Sequence, residues 1–382
     1  KDPSHKVCFL ISGDPRQNRI GEQIVSKTSK LLPDVQIITK CQQNFVGKTF
    51  PELSVQMQEY DTIAIGPGVD PDKWFPQDRS YMSNYMELCK VIFPEGECVP
   101  ANNEIMAILD KVNYLTLLSE ANLPVMPWRS FTWEMYKANP SKFLRALKDF
   151  CVDSPEDTVV LKAPFTSTGR GVTFMKKSLL DDPERFQAFL EKRFEPGFPD
   201  IIAQHYTPYF ESKAEHRLFF SEGVFITASA TFNTLDTPMA AAEVEQELAI
   251  ASQVLQEIPW LKDLSHLRMD FGKCGNGNWF VSEIEPMGDI FSKNDSHMST
   301  VAKSFAKQTA AILNGTVGVG ANTLATKATR DQRNKHALYN LNGDLNSLQS
   351  SFVRGLASST SRWASPFVAG LENGPPSEME GR

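Results

Sequence analysis

Residues 267–285 read LRMDFGKCGNGNWFVSEIE, in which a turn rich in glycine and asparagine separates two mainly apolar runs. Runs of this length between strong turn signals are typical of short, partly buried strands. The glycine and asparagine residues favour the tight connection of a β-hairpin. The segment therefore predicts two antiparallel strands, at residues 267–271 and 279–285.

The charged residues of this hairpin alternate with apolar ones. Side chains two positions apart on a strand share a face, so Arg268 lies with Asp270, and Glu283 lies with Glu285. If the strands pair through the turn, three carboxylates converge, and their mutual repulsion favours a hard cation such as Mg²⁺. The alternative is a solvent-facing strand pair in which Arg268 forms an ordinary cross-strand ion pair.

A second hairpin lies upstream and carries a lysine beside a loop of small residues. Strands are predicted at residues 158–163, which include Lys162, and at residues 172–175, with the loop PFTSTGRG (164–171) between them. Backbone N–H groups of such a loop can approach phosphate oxygens closely, and the lysine supplies positive charge. The alternative is a glycine-containing turn with a lysine on an edge strand.

The rest of the chain divides into an N-terminal α/β region and a longer α+β region. Continuous apolar runs at residues 7–11, 35–38 and 62–65 predict buried parallel strands. A helix is predicted from Asn103, and Asn122 and Pro124 end it. Further helices are predicted at residues 141–150, 240–257 and 297–313, and further strands at 201–206, 215–220 and 224–230. Beyond residue 315 the composition predicts a mobile tail.

Composition excludes several classes of protein. The chain has 382 residues and a net charge of −7, so it has no overall electrostatic footprint for nucleic acid or an anionic membrane. No apolar run reaches the ~18 residues of a membrane span. The six cysteines form no C-x-x-C pair, which favours a reducing, cytoplasmic compartment. The G-x-x-x-x-G-K-[ST], H-E-x-x-H and G-x-S-x-G motifs are absent.

The order of these features resembles the ATP-grasp superfamily. A lysine with a small-residue loop is followed, about a hundred residues later, by Arg-x-Asp and Glu-x-Glu-Pro on a hairpin. The segments LDK (109–111) and LPVMP (123–127) are similar to the superfamily's Asp-Lys helix and its exit. The resemblance covers about residues 100–315. It implies an α/β and α+β architecture, in which a doubly wound N-terminal domain (1–100) precedes a two-lobed ATP-grasp domain (101–195 and 196–316) and a flexible tail (317–382).

The resemblance also implies a nucleotide site. The ATP phosphates would be bound by two lysines and the loop, namely Lys111, Lys162, Thr166, Ser167, Thr168, Gly169, Arg170 and Gly171. The adenine base would face Gln204 and the chain at His205 and Tyr206. The ribose would contact Glu211 or Glu215.

The reacting groups are implied in the same way. Arg217 would bind the transferred phosphate or a substrate carboxylate, and Arg268 would stabilise an acyl phosphate. Asp270, Glu283 and Glu285 would hold Mg²⁺. The chain departs from the superfamily at Glu285, where asparagine is usual, and this places an extra negative charge in the metal site.

What the resemblance implies is an ATP-dependent ligase that joins a carboxylate to an amine through an acyl phosphate and releases ADP and phosphate. Two alternatives stay open: a kinase that phosphorylates a small-molecule acceptor, and a non-catalytic nucleotide-binding relative. The expected partners are small-molecule carboxylate and amine substrates, without nucleic acid or membrane, and a homodimer is compatible with the sequence.

Overall fold

The computed structural model describes residues 5–45, 47–48, 50–57, 59–66, 69, 98–99, 108–165, 171–194, 200–232, 235–286 and 295–314. These residues belong to one unit, Lys1–Thr329, and form three sheets. None of the helices they contain combines the length and hydrophobicity that a membrane span requires. The loop residues 166–170, the start of the helix predicted at Asn103 and the tail 317–382 lie outside the described residues.

The first sheet is parallel, as the apolar runs predict. Its strands are β1 (His5–Ile11), β2 (Val35–Cys41), β3 (Thr62–Ile65) and β4 (Cys98–Val99), in the order β2-β1-β3-β4. Helix α1 (Pro15–Leu31) connects the first two strands, and α2 (Phe50–Met57) precedes the third. Apolar residues cover both faces of β1, which explains its uninterrupted hydrophobic run.

Helix α3 (Lys111–Glu120) follows, and it begins later than predicted. Asp110 adopts an extended conformation (φ −78°, ψ 102°), and its side chain accepts a hydrogen bond from the Val112 N–H. A residue in this state caps the N-terminus of a new helix, so one continuous helix from Asn103 is wrong. Asn122, at φ +55°, ends the segment as the sequence suggests.

The second sheet is antiparallel and contains the predicted lysine hairpin. Its strands are β5 (Trp128–Thr132), β6 (Thr158–Lys162), β7 (Val172–Lys176) and β8 (Asp200–His205), in the order β5-β8-β6-β7. Helices α4 (Trp133–Ala138), α5 (Pro140–Val152) and α6 (Pro183–Arg193) are the intervening helices. Alternate strand residues, such as Phe131, Leu161 and Ala203, pack with Phe143 and Leu190 of these helices.

The third sheet contains the acidic hairpin. After the short helix α7 (Tyr209–Ser212) come β9 (Glu215–Ser221), β10 (Val224–Phe232), β11 (Leu235–Met239), helix α8 (Glu245–Glu257), β12 (Leu267–Lys273) and β13 (Trp279–Glu285). The strand order is β11-β10-β9-β12-β13, with every pair antiparallel. The single helix predicted over 240–257 is interrupted, because a 3₁₀ turn at Ala241–Glu243 precedes α8.

The last described helix, α9 (Asp295–Leu313), contacts both the first and the third sheet. On one side the ring of Phe305 meets that of Phe9, with centroids 5.3 Å apart. On the other side Glu222, in the β9–β10 turn, accepts hydrogen bonds from Ser304 (2.8 Å) and Lys307 (2.9 Å). This helix thus fixes the N-terminal sheet beside the third sheet.

The expected domain division stays a prediction, although one boundary needs adjustment. Strand β8 lies beyond residue 195, yet it pairs with β5 and β6 of the second sheet. A boundary after His205 keeps that sheet in one piece.

Candidate active site

The charged residues of β12 and β13 lie together, as their alternation predicts. Asp270 pairs with Glu283, and Arg268 pairs with Glu285, across the two strands. On the other side Asp270 pairs with Arg217 of β9. Directly paired residues of neighbouring strands point to the same face, so this face carries all five side chains.

Arg268 is the centre of this cluster. It is buried, and its Nε and Nη2 each donate a hydrogen bond of 2.7 Å to one oxygen of Asp270. The Nη2 also lies 3.1 Å from Glu285 Oε2. A two-point pair of this kind fixes the planes of both groups, so Arg268 and Asp270 act as a rigid unit.

The carboxylates differ in charge state. Burial raises the pKa of Glu285 to about 8, and Glu283 and Asp270 add to this against the effect of Arg268. Burial and Asp270 raise the pKa of Glu215 to about 7. For Glu283, burial acts in the same direction, but Lys111 and Arg268 outweigh it and lower the pKa. Of the three glutamates, Glu283 is therefore the one that stays ionised most firmly.

Two lysines from different elements approach Glu283. Lys111 lies at the start of α3, and its Nζ is 3.2 Å from Glu283 Oε1. The Lys111 N–H donates to the carbonyl of Pro164 (2.9 Å), which ties the helix to the end of β6. Burial lowers the pKa of Lys162, and the opposing effect of Glu283 shows that the two groups are within electrostatic reach.

The phosphate loop is described only at its ends. Ala163 donates a backbone hydrogen bond to the carbonyl of Gly171 (2.9 Å), which closes the hairpin. Gly171 has φ +64°, a conformation that favours glycine. The five candidate residues between them, Thr166, Ser167, Thr168, Gly169 and Arg170, lie outside the described residues.

At the end of β8, Gln204 and His205 point in opposite directions. Gln204 pairs with Val160, and Lys162 with Ile202, so Gln204 and Lys162 share a face of the sheet. The Gln204 side chain is buried, and its Nε2 has no hydrogen-bond partner within the described residues. The His205 ring lies on the other face, against Phe150, so its side chain is directed away from the site.

Tyr206 and Glu211 lie just beyond the strand. The Tyr206 hydroxyl donates a short hydrogen bond to Glu211, and its ring meets that of Phe174 at a centroid distance of 5.8 Å. Phe174 belongs to β7, opposite Val160, and 63% of its surface is exposed. These side chains border the Gln204 face.

Arg217 and Glu215 form a pair of their own. Arg217 donates to Glu215 Oε2 (3.2 Å), and its side chain also lies 3.8 Å from both Asp270 and Asp236. The second oxygen of Glu215 accepts a hydrogen bond from Ser282 (3.1 Å). Both oxygens of Glu215 are thus engaged, which makes Glu211 the less constrained of the two candidate ribose contacts.

Sequence reasoning missed Tyr114, Asp236 and Ser282. Tyr114 is three residues after Lys111 on α3, only 3% of its surface is exposed, and burial together with Glu283, Glu285, Asp270 and Asp110 raises its pKa well above the ordinary value. The helical spacing from Lys111 was the available signal. Asp236 offered none, because the irregular sequence LDTPM does not predict the strand β11.

A divalent cation fits part of this donor set. Within the described residues, no group of three or more His, Cys, Asp or Glu side chains is arranged to hold a metal ion by itself. Mg²⁺, however, is commonly bound by one or two carboxylates together with substrate phosphates. Glu283 and Glu285 supply suitable oxygens, whereas both oxygens of Asp270 already accept from Arg268.

Comparison with known proteins assigns the fold. The chain is similar to the crystal structure of the D-cycloserine synthetase DcsG (TM-score 0.58, 16% identity, 80% of this chain and 99% of that chain covered). It is also similar to a D-alanine–D-alanine ligase from Bacillus anthracis in complex with ATP (TM-score 0.50, 14% identity, 80% of this chain and 98% of that chain covered). A third similar structure is an N5-carboxyaminoimidazole synthetase from Staphylococcus aureus (TM-score 0.51, 13% identity, 80% of this chain and 78% of that chain covered).

A further similar structure, with a TM-score of 0.50, is a RimK domain protein that carries the name ATP-grasp. The chain therefore has the ATP-grasp fold, and the expected α/β and α+β fold class is confirmed, whereas the domain bounds and the tail stay predictions. No protein-family model matches the chain, and no curated protein matches it in sequence. These similarities concern the fold, and the particular reaction has to be argued from the site.

Proposed function

We propose that the protein is an ATP-dependent ligase that activates a carboxylate as an acyl phosphate and joins it to an amine. The observation that carries the proposal is the meeting of Lys111 and Lys162 with Arg217, Arg268 and Glu283 between two antiparallel sheets of the ATP-grasp fold. Four cationic side chains at one place suit a reaction whose phosphates and carboxylates are all anionic.

The second sheet would bind the nucleotide. The base would lie on the face that carries Val160 and Gln204, where the buried Nε2 would find an acceptor on the ring. The phosphates would extend toward Lys162, Lys111 and the loop 166–171. Glu211 is our preferred ribose contact. One of the similar structures is a complex with ATP, which supports nucleotide binding by this fold.

Glu283 and Glu285 would hold Mg²⁺, which neutralises phosphate charge when it is bound. Both are on β13, on the face that Lys111 and Arg268 contact. Asp270 would contribute mainly through Arg268, since the two are joined at both oxygens. The extra charge at Glu285 is partly relieved, because burial raises its pKa to about 8.

The protein's own part in the reaction would be positioning and charge neutralisation. Transfer of a phosphoryl group spreads negative charge over oxygens and needs no protein nucleophile. Arg217 and Arg268 lie on the face of the third sheet where the transferred group and the substrate carboxylate would meet. Their guanidinium groups are held by carboxylates on several sides, so they are oriented before substrate arrives.

Hydroxylamine trapping tests the proposal whichever amine the protein uses, because hydroxylamine takes the place of that amine. The full chain would be incubated with Mg·ATP, hydroxylamine and separate pools of amino acids and other small carboxylic acids. An acyl phosphate reacts with hydroxylamine to give a hydroxamate, which mass spectrometry identifies. Hydroxamate formation with stoichiometric ADP supports the ligase.

Two other outcomes would contradict it. A phosphorylated product that hydroxylamine does not convert would favour the kinase. No ADP with any pool, from protein that binds ATP, would favour a non-catalytic nucleotide-binding protein. Small-molecule partners, a homodimer and a cytoplasmic location remain predictions from the sequence.

A further inference from the structure

Residues 206–214 link β8 of the second sheet to β9 of the third, and this linker carries Glu211, the preferred ribose contact. The linker contains the four-residue helix α7. A helix of this length has too few internal hydrogen bonds to be stable by itself. The orientation of Glu211 therefore depends on what α7 packs against.

Phe210, the residue before Glu211, packs on the end of the acidic hairpin. Its ring lies over Gly272 of β12 and meets the ring of Phe280 of β13 edge to face, at a centroid distance of 6.2 Å. Gly272 pairs with Phe280 and comes two positions after Asp270, so both lie on the charged face of the third sheet. Phe210 therefore covers the part of this face that continues beyond Asp270.

This contact depends on the absence of a side chain at Gly272. A Cβ atom there would lie 2.3 Å from Cζ and 2.9 Å from Cε1 of Phe210. Because carbon atoms pack best at about 3.5–4.0 Å, any larger residue would displace the ring. Glycine within a strand is unfavourable unless a neighbouring group has to approach closely, and at Gly272 the Phe210 ring is that group.

The rest of the linker is held at the same end of the hairpin. Thr207 Oγ1 donates a hydrogen bond to the carbonyl of Lys273 (2.8 Å). The Tyr209 ring meets that of Trp279 at a centroid distance of 5.9 Å, on the face opposite to that of Phe210. The linker thus contacts both faces of the hairpin, and Phe210 is its contact on the charged face.

Glu211 itself is exposed and lies between the two sheets' contributions. The Tyr206 hydroxyl, at the end of β8, donates a hydrogen bond to its carboxylate. A carboxylate accepts several hydrogen bonds, so Glu211 can also accept from the hydroxyls of a ribose. Tyr206 holds Glu211 from the side of the second sheet, and Phe210 holds its neighbouring backbone on the third.

We propose that Phe210, seated over Gly272, is a positioning residue that fixes α7 on the third sheet and thereby orients the Glu211 carboxylate toward the ribose hydroxyls. This inference rests on the proposed nucleotide binding with Glu211 as the ribose contact, but not on the identity of the carboxylate or the amine. It assigns to Phe210 an effect on the recognition of the ribose hydroxyls, not of the base or the phosphates.

The test compares the affinities of ATP and of 2′,3′-dideoxy-ATP, which lacks both ribose hydroxyls, by calorimetry on the full chain with saturating Mg²⁺. The wild type should bind ATP about tenfold more tightly than the dideoxy nucleotide, the size of one hydrogen bond to a charged group. Phe210→Ala and Gly272→Ala should each lose this preference, because they weaken ATP binding and leave dideoxy-ATP binding as in the wild type. Glu211→Ala should lose it in the same way.

The hairpin and the third sheet offer matched controls. Gly275→Ala alters a glycine of the same hairpin, where an added Cβ would meet no atom within 4 Å. Phe232→Ala removes a ring that is 38% exposed, against 39% for Phe210. Both controls should keep the preference for ATP. Phe210→Ala and Gly272→Ala together should have no larger effect than either alone, since both remove the same contact.

A preference for ATP that survives in Phe210→Ala, or in a folded Gly272→Ala, would overturn the inference. An equal loss of affinity for both nucleotides would also do so, because Phe210 would then act on the base or the phosphates. If Gly272→Ala does not fold, Phe210→Ala decides alone, since it removes only a partly exposed ring.

Failure of the proposed function looks different. A wild type that binds neither nucleotide would contradict the nucleotide site, and a wild type that binds ATP but forms no hydroxamate would contradict the ligase without affecting the inference. Equal binding of ATP and dideoxy-ATP by the wild type would contradict the ribose contact at Glu211, and with it the inference.

Discussion

The second and third sheets are both antiparallel, and each packs apolar side chains against helices on one face, but their opposite faces differ sharply in charge. On the second sheet, two neighbouring rows of paired residues carry Phe174, Val160, Gln204 and Trp128, then Val172, Lys162, Ile202 and Ser130. On the third sheet the corresponding rows carry Glu283, Asp270, Arg217 and Ser229, then Glu285, Arg268, Phe219 and Thr227.

This difference separates two tasks. A face of neutral and aromatic groups with one lysine suits a flat, weakly polar base attached to phosphates. A face of paired cations and carboxylates suits the charge changes of phosphoryl transfer. We therefore expect substitutions on the second sheet to alter nucleotide affinity, and substitutions on the third sheet to alter turnover and stability.

The largest effect is expected for Glu283→Gln. Removing the charge of this carboxylate, which Lys111 and Arg268 keep ionised, should lower ADP formation by about 10²–10³-fold, comparable with the loss of one electrostatic group from other active sites. The variant should still fold, with a lower unfolding midpoint because the buried Lys111 loses its carboxylate partner, so ADP formation is compared at a temperature at which both proteins are folded. ADP release measured in a coupled assay checks this, and turnover close to that of the wild type would contradict the role of the third sheet.

Arg268→Met should cause the largest loss of stability. Arg268 and Asp270 are 4% and 1% exposed, so the variant leaves a buried carboxylate without its partner. Breaking such a pair costs about 3–5 kcal/mol, which lowers the unfolding midpoint by about 10 °C in domains of this size.

The matched control for this prediction is Lys307→Met, at the exposed ion pair with Glu222, where the lysine side chain is 72% exposed. Surface pairs contribute at most about 1 kcal/mol, so its midpoint should fall by less than about 3 °C. Equal shifts of the unfolding midpoint in the two variants, measured by calorimetry, would mean that the buried Arg268–Asp270 pair stabilises the fold no more than the exposed Lys307–Glu222 pair does.

A smaller, pH-dependent effect is expected at His297. This residue of α9 is fully buried against Phe219, and burial lowers its pKa to about 4. Protonation therefore favours the unfolded state, whose histidine titrates near 6.5. The neutral His297 contributes to the free energy of unfolding above pH 6.5. This contribution is lost as the pH falls toward 4, and the loss is roughly 2 kcal/mol at pH 5.

His297→Leu should remove this part of the pH dependence. Thermal unfolding of both proteins at pH 7.5 and pH 5 checks it through the difference between the two midpoints, not through their absolute values. Parallel loss of stability in wild type and variant would show that His297 does not titrate as its burial implies.

The smallest effect is expected at Gln204. Gln204→Leu removes the unpartnered donor of the second sheet and should weaken ATP binding by about tenfold, with kcat unchanged once ATP saturates. Gln187→Leu, on the surface of α6, is the control and should change neither constant. A lower kcat at saturating ATP would place Gln204 in the reaction itself and weaken the contrast between the two sheets.

Much of this arrangement could be predicted because it depends on local signals. The glycine-rich turn between β12 and β13 and the alternation of Arg268 with Asp270 indicate both the hairpin and its charged face. The same alternation separates Gln204 from His205, so the sequence already indicates that the His205 ring lies on the other face of the sheet, and the expectation at His205 concerned its backbone.

Other features depend on contacts between distant parts of the chain. Asp236 lies in β11, whose irregular sequence becomes a strand only because β10 offers it a partner. Tyr114 acquires its importance from residues about 170 positions away, and its helix begins at Lys111 because Asp110 competes with the helical backbone for hydrogen bonds. Phosphate contacts at residues 166–170 remain predictions from the sequence.

The central claim is that Mg·ATP binds between these two sheets, and thermal unfolding of the wild type and Lys162→Ala, with and without Mg·ATP, tests it most directly. Ligand at a hundred times its dissociation constant stabilises by about 2.7 kcal/mol, or roughly 5–11 °C in domains of this size. The account predicts this shift in the wild type and its loss in Lys162→Ala. No shift in a folded wild-type sample, or an equal shift in both proteins, would contradict it.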